Sequence, residues 1–184
     1  MSRLYLIRHG RTPANDAHLY CGSTDLSLSE EGRKELQTLH YDICPQRILT
    51  SGMKRTEETL AILFGEVPHE VNREFREIDF GAFEMKSYED LKEDPSYQAW
   101  ISGDNDRNVP PGGESGQQMT ARVLTALHQV LDQGEDTLIV THGGVIAAIL
   151  SAFYPGSGKS RYQWQPKPGH GYPPDCRNES DSDS

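Results

Sequence analysis

Residues 4–10 read Leu4-Tyr5-Leu6-Ile7-Arg8-His9-Gly10, and Arg11 follows. The four apolar residues do not alternate with polar ones. That is the pattern of a short strand covered on both faces, as in a parallel sheet. The run stops at two arginines set around a histidine and a glycine. A strand that merely surfaced would need one polar residue and a turn. Crowded cations need an anion to neutralise them, and either a ligand phosphate or a buried carboxylate would serve.

A second stretch has the same build. The run Thr137-Leu138-Ile139-Val140-Thr141 ends in His142-Gly143-Gly144. In open parallel sheets, ligands gather outside the carboxyl ends of the strands. His9 and His142 are therefore expected to share one site, with the glycines beside them allowing close backbone approach. Taken singly, His142 reads as an ordinary hydrogen-bonded histidine at a strand end.

The chain between these strands alternates in period. Residues 30–40 read as a helix with Leu36 and Leu39 inward and Ser27 or Ser29 as its cap. Residues 47–51 read as a strand, and 53–64 as a helix with Met53, Thr56, Leu60, Leu63 and Phe64 on one face, stopped by Gly65. Ser51 ends that strand and Arg55 opens the helix, whose N-terminus itself favours an anion. Alone, Arg55 reads as a surface partner of Glu57 or Glu58. Residues 67–75 suggest a weaker strand. Residues 76–114 are irregular, with short helices expected near 87–93 and 95–102, and a segment of this kind is often a lid or substrate lobe. A helix with Met119, Val123, Leu127, Val130 and Leu131 inward follows, capped by Ser115, with Arg122 expected to pair with a carboxylate. Residues 136–141 make a strand, and 145–154 a buried helix. Strands alternating with helices predict an α/β fold with a mostly parallel sheet. One domain is expected over 1–174, with an edge strand between 161 and 174. The acidic, serine-rich residues 175–184 are expected to be a disordered tail.

The totals narrow the partners. Of 184 residues, 28 are acidic and 18 basic, a net charge of −10, which disfavours nucleic acid and anionic membrane as partners. An anion site in such a chain must be a local positive pocket. The longest later apolar run, Val145–Leu150, is too short to span a bilayer. The three cysteines are widely spaced, with no zinc pattern. Charges follow the N-terminal apolar run at once, unlike a secretory signal. A cytoplasmic protein is expected.

Five segments in order, "LIRHGRTPAN", "TSGMKRTEET", "REIDFGAFE", "PPGGES" and "VTHGG", resemble the histidine phosphatase superfamily, the phosphoglycerate-mutase-like proteins. The resemblance spans about residues 3–150. With "GSTDLSLSEEG", it is nearest the α-ribazole-phosphate phosphatases and related small phosphomonoesterases. It implies a three-layer α/β/α sandwich. It also implies His9 as nucleophile, with Arg8, Arg55 and His142 as a phosphate clamp and Asn15 as an amide donor. Glu77 matches the proton donor, with Asp79 and Glu84 as rivals, and Gly22 falls in a loop that passes near substrate in relatives. As an alternative, Gly22 and Thr24 are ordinary turn residues. Met85 stands where many relatives have glycine.

The implied chemistry is sound on its own terms. A neutral imidazole can attack phosphorus in line, and covalent catalysis splits one hard displacement into two easier ones. Placement and fixed positive charge then carry catalysis, without metal or cofactor. The expected partner is a small phosphate ester whose leaving group, like the oligomeric state, the sequence leaves open. A phosphoglycerate mutase and an inactive phospho-ligand-binding protein are the competing readings.

Overall fold

The computed structural model describes residues 2–104, 106–172 and 176–178. In chain order it holds β1 (Leu4–Arg8), α1 (Pro13–Asp16), α2 (Glu30–Gln37), β2 (Leu39–Tyr41), β3 (Arg47–Thr50), α3 (Lys54–Phe64), β4 (Glu70–Val71), α4 (Tyr88–Leu91), α5 (Pro95–Ile101), α6 (Gly116–Leu131), β5 (Thr137–Thr141), α7 (Gly143–Phe153), α8 (Arg161–Trp164) and β6 (Cys176–Asn178). The central sheet has the order β1-β5-β3-β4, and each neighbouring pair is parallel.

Side chains alternate across this sheet, as strand geometry requires. Leu6, Leu49 and Ile139 pack with Met119, Val123 and Leu127 of α6 and with Val145, Ile146 and Ile149 of α7. Tyr5, Ile7, Leu138 and Val140 pack with Leu60 of α3 and with Tyr41 of β2. Helices thus cover both faces, giving the expected three layers, and each fully buried aliphatic side chain contributes about 1.5–3 kcal/mol. Local signals set the helix ends. Ser29 accepts from Gly32 N at the start of α2, Ser115 and Gln118 form a reciprocal cap on α6, and Gly65 ends α3 at φ 81°. Residues 76–114 have a small core of their own, where Phe83, Leu91 and Tyr97 pack with Tyr20, Phe80 and Trp100.

Several expectations are revised. The helix expected to reach residue 40 ends at Gln37, and the chain turns at once into β2. The strand expected over 67–75 shrinks to Glu70–Val71, because Asn72 accepts from Glu74 N and starts a tight turn. In the C-terminal region Arg161–Trp164 is helical rather than extended. Beyond it the chain does reach an edge: Gly171 bridges Ile7 antiparallel, Arg8 N donates to His170 O at 2.8 Å and Tyr172 N to Leu6 O at 2.8 Å. Cys176–Asn178 lie within the segment expected to be disordered, yet pair antiparallel with β2. The open edge of β2 offers unpaired backbone groups, which is reason enough for a strand to add there. The rest of that segment lies outside the described residues. Among the described residues, no helix is long and apolar enough to cross a membrane.

Candidate active site

The sheet register builds the site. Arg8 of β1 lies opposite Thr141 of β5, and His9 N donates to Thr141 O at 2.9 Å. The next residue on each strand is a histidine, so the pairing itself delivers His9 and His142 to one place, with ring centroids 5.1 Å apart. On the other side of β5, Thr50 of β3 pairs with Val140. Ser51 therefore arrives alongside, its Oγ 2.9 Å from His142 Nε2.

Both rings are buried, His9 at 6% exposure and His142 at 0%. His9 Nδ1 lies 2.7 Å from the Gly10 carbonyl. A carbonyl only accepts, so Nδ1 carries the proton and Nε2 keeps its lone pair. Burial, then the Arg55 charge, pushes the His9 pKa well below the usual histidine value; the Gly10 bond opposes this and Arg8 adds to it. The ring is neutral at physiological pH, the form a nucleophile needs. Burial, then Arg55 and His9, depresses His142 in the same way.

Positive charge surrounds the pair. Arg55 is 1% exposed and donates to the Thr24 carbonyl at 2.7 Å and the Gly22 carbonyl at 2.8 Å. Arg8 donates from Nη1 to the Pro166 carbonyl at 2.9 Å, while its Nε is buried without a partner. Burial lowers the Arg8 pKa and the Glu77 charge opposes that. Among the described residues neither arginine forms an ion pair, and His142 Nδ1 is also buried without a partner. Buried charge and polar atoms left open in this way are costly unless a ligand completes them. Asn15 and Arg8 line one cavity, whose walls among the described residues do not include His9, His142 or Arg55, and the Asn15 Oδ1 is taken by Thr12 N and Thr12 Oγ1, both at 3.0 Å. Its amide N–H groups are thereby left to donate.

The carboxylates separate by position. Glu77 lines the cavity of about 640 Å³, with Oε2 accepting from Gly144 N at 3.1 Å and Oε1 from Ile78 N at 3.0 Å. Glu84 instead accepts from Gly22 N at 2.9 Å, Ser23 N at 2.8 Å, Thr24 Oγ1 at 2.8 Å and Phe80 N at 3.2 Å. Burial pushes its pKa up, but these bonds together hold it below the usual carboxylate range. Asp79 accepts from Gly81 N at 2.8 Å and Ser23 Oγ at 3.3 Å. Both rivals of Glu77 are therefore engaged in holding loops.

Gly22 is brought close to Arg55 but offers no free group. Its N–H goes to Glu84 and its carbonyl to Arg55, and a Cβ there would lie 1.7 Å from the Ile78 carbonyl oxygen. Glycine is required here by that close approach. Ser51 joins the site as the partner of His142, and Gln165 and Trp100 join as cavity lining. For Ser51 the signal was its place at a strand end. Nothing local marked the other two. Among the described residues, no group of three or more His, Cys, Asp or Glu side chains is placed to hold a metal ion.

Comparison with known proteins places this geometry. The profile of the histidine phosphatase superfamily (branch 1) matches residues 4–168. The adenosylcobalamin/alpha-ribazole phosphatase of Salmonella typhimurium is 34% identical over 158 residues, 81% of this chain and 78% of its own. A metal-independent phosphoserine phosphatase of Arabidopsis thaliana is 31% identical, over 81% of this chain and 67% of its own. The crystal structure of the alpha-ribazole phosphatase from Shigella flexneri superposes with a TM-score of 0.80 at 30% identity, covering 91% of this chain and 87% of that one.

Proposed function

The chain belongs to the histidine phosphatase superfamily, and we propose that it is a metal-independent phosphomonoesterase working through a phosphohistidine on His9. One observation carries the reading: a buried, neutral imidazole whose Nε2 lone pair is free, set beside the buried, unpartnered Nε–H of Arg8 and the His142 ring.

In the first step His9 Nε2 attacks phosphorus in line. The ester P–O bond breaks, and the departing oxygen takes its proton from Glu77. In the second, water attacks the phosphohistidine, the P–N bond breaks, and Glu77 receives the proton that water loses. Arg8 Nε and the Asn15 amide donate to the equatorial oxygens, with the His142 ring beside them. Arg55 supplies charge while fixing the loop at Gly22 and Thr24. No residue changes oxidation state, and one water is consumed per ester.

The substrate is a small phosphorylated metabolite. The names of its relatives put α-ribazole phosphate first among candidates, with phosphoserine second. The free thiols of Cys21 and Cys44 fit a reducing compartment, so the proposed location is the cytoplasm. The net charge of −10 argues against nucleic acid as a partner.

The test is hydrolysis of p-nitrophenyl phosphate in excess EDTA, with an acid-labile phosphoenzyme trapped by rapid quench. His9→Ala should abolish both. Activity lost on chelation would remove the mechanism. Transfer between phosphoglycerate positions outpacing phosphate release would make the protein a mutase, and binding without turnover would make it a phospho-ligand-binding protein.

A further inference from the structure

The cavity, at about 640 Å³, is far larger than one phosphate, and its remaining walls describe what else enters. Tyr20, Phe80 and Trp100 all line it. Their rings form a triangle, with centroids 5.1 Å apart for Tyr20 and Phe80, 5.5 Å for Tyr20 and Trp100, and 6.1 Å for Phe80 and Trp100. The Trp100 contacts are edge-on, and the Tyr20 hydroxyl is held by the Tyr97 hydroxyl at 2.7 Å. The rings are thus fixed by their own packing and present a rigid apolar wall at little entropic cost to a ligand.

Charge runs the other way from the phosphate end. Among the described residues lining the cavity, Arg8 is the one cation, and the acids are Glu77, Asp104 and Asp106. Asp104 lies 3.4 Å from Arg107 in an exposed pair, which offsets little of its charge. A second anionic group on the substrate would find no second cation among these residues, only neutral donors such as Gln165 and Ser151, and two aspartates to repel it.

We propose that the cavity selects phosphate esters whose leaving group presents an apolar ring and carries no carboxylate or second phosphate. This rests on the phosphatase reading and narrows it, since phosphoserine and phosphoglycerates fall outside the selected class.

The experiment compares kcat/KM for 2-phenylethyl phosphate, ethyl phosphate, O-phosphoserine and 3-phosphoglycerate, with p-nitrophenyl phosphate as the control for the phosphatase reading itself. We expect 2-phenylethyl phosphate to exceed both carboxylates by about a hundredfold and ethyl phosphate by about tenfold. Trp100→Ala should lower the phenylethyl value about tenfold through KM and leave inhibition by inorganic phosphate unchanged. Asp104→Asn with Asp106→Asn should raise the phosphoserine value about threefold. Phosphoserine or phosphoglycerate matching the phenylethyl ester would overturn the proposal while p-nitrophenyl phosphate turnover persists. A Trp100→Ala enzyme with equal losses on ethyl and phenylethyl esters would overturn it too. Loss of all turnover, p-nitrophenyl phosphate included, would instead remove the phosphatase reading on which it stands.

Discussion

Arg122 donates from Nη2 to the backbone carbonyl of Glu77 at 3.0 Å. The same guanidinium reaches the carbonyls of Glu74 at 2.6 Å and Arg76 at 2.8 Å. It also pairs with Glu114, whose Oε1 accepts from Asp79 N at 3.2 Å. One side chain on α6 therefore fixes the backbone on both sides of the proposed proton donor. Arg122→Met leaves several half-buried acceptors without a donor and should cost about 2–3 kcal/mol. It should also slow alkyl phosphates at least about tenfold more than p-nitrophenyl phosphate, since the donor loses its placement. Thermal unfolding and parallel assays on the two substrates check both halves.

Glu77→Gln keeps the shape of the side chain and removes its proton. Turnover of an alkyl phosphate should fall by about 10²- to 10⁴-fold. A nitrophenolate leaves with little help, so p-nitrophenyl phosphate should be far less affected. Equal losses on both substrates would move the acid role away from Glu77.

Acid should weaken the fold through the histidines of the site. The folded pKa values of His9 and His142 lie well below the usual histidine value, chiefly through burial. The unfolded chain titrates near that usual value, so as pH falls past it the unfolded state binds protons that the folded state refuses. Stability is then lost with falling pH, by about 1.4 kcal/mol per pH unit for each such histidine. His170 acts in the same direction through burial, and His69, raised first by its bond to the Val67 carbonyl, opposes it. Urea unfolding between about pH 6.5 and 5 should show the slope, and His142→Asn should make it shallower. An unchanged slope in that variant would count against a buried neutral ring.

Met85 takes a left-handed backbone, φ 60°, while its N–H donates to the Tyr20 carbonyl at 2.6 Å. A side chain at such a position costs about 1 kcal/mol or more. Glycine would relieve that, less about 0.4–1 kcal/mol for the freer unfolded chain. Met85→Gly should therefore raise the melting temperature by about 1–3 °C. A lower melting temperature would show that the Met85 side chain contributes more than its backbone costs.

The paired strands at the centre were legible because burial on both faces leaves unbroken apolar runs at Leu4–Ile7 and Leu138–Val140. The meeting of His9 and His142 followed from strand ends alone, before any register was known. What could not be read was set by distant partners. Glu84 looks like any other acid until the Gly22–Thr24 loop folds over it, and Arg122 could be assigned a carboxylate but not the three carbonyls it also binds. The short helix α1 leaves no periodic trace in the sequence, although Thr12-Pro13 with Asn15 carries its cap. Four residues give too little periodicity to register. β2 has no period to read either, and its pairing partner lies 135 or more positions away, at Cys176–Asn178.

The hydrogen bonds from residues 169–172 to β1 tie the proposed nucleophile, His9, to a distant part of the chain. Gly169 N donates to the Arg8 carbonyl at 2.9 Å, and Gly171 sits so close to Leu6 that a Cβ there would lie 1.8 Å from its carbonyl oxygen. This stretch acts as a selvedge, closing the outermost strand next to His9 against fraying and against recruitment by another molecule's strand. Proteolytic nicking near residue 158, or a bulkier residue at 171, would loosen the proposed catalytic imidazole from its anchor, and the nick would also free Gln165 and the Pro166 carbonyl that holds Arg8.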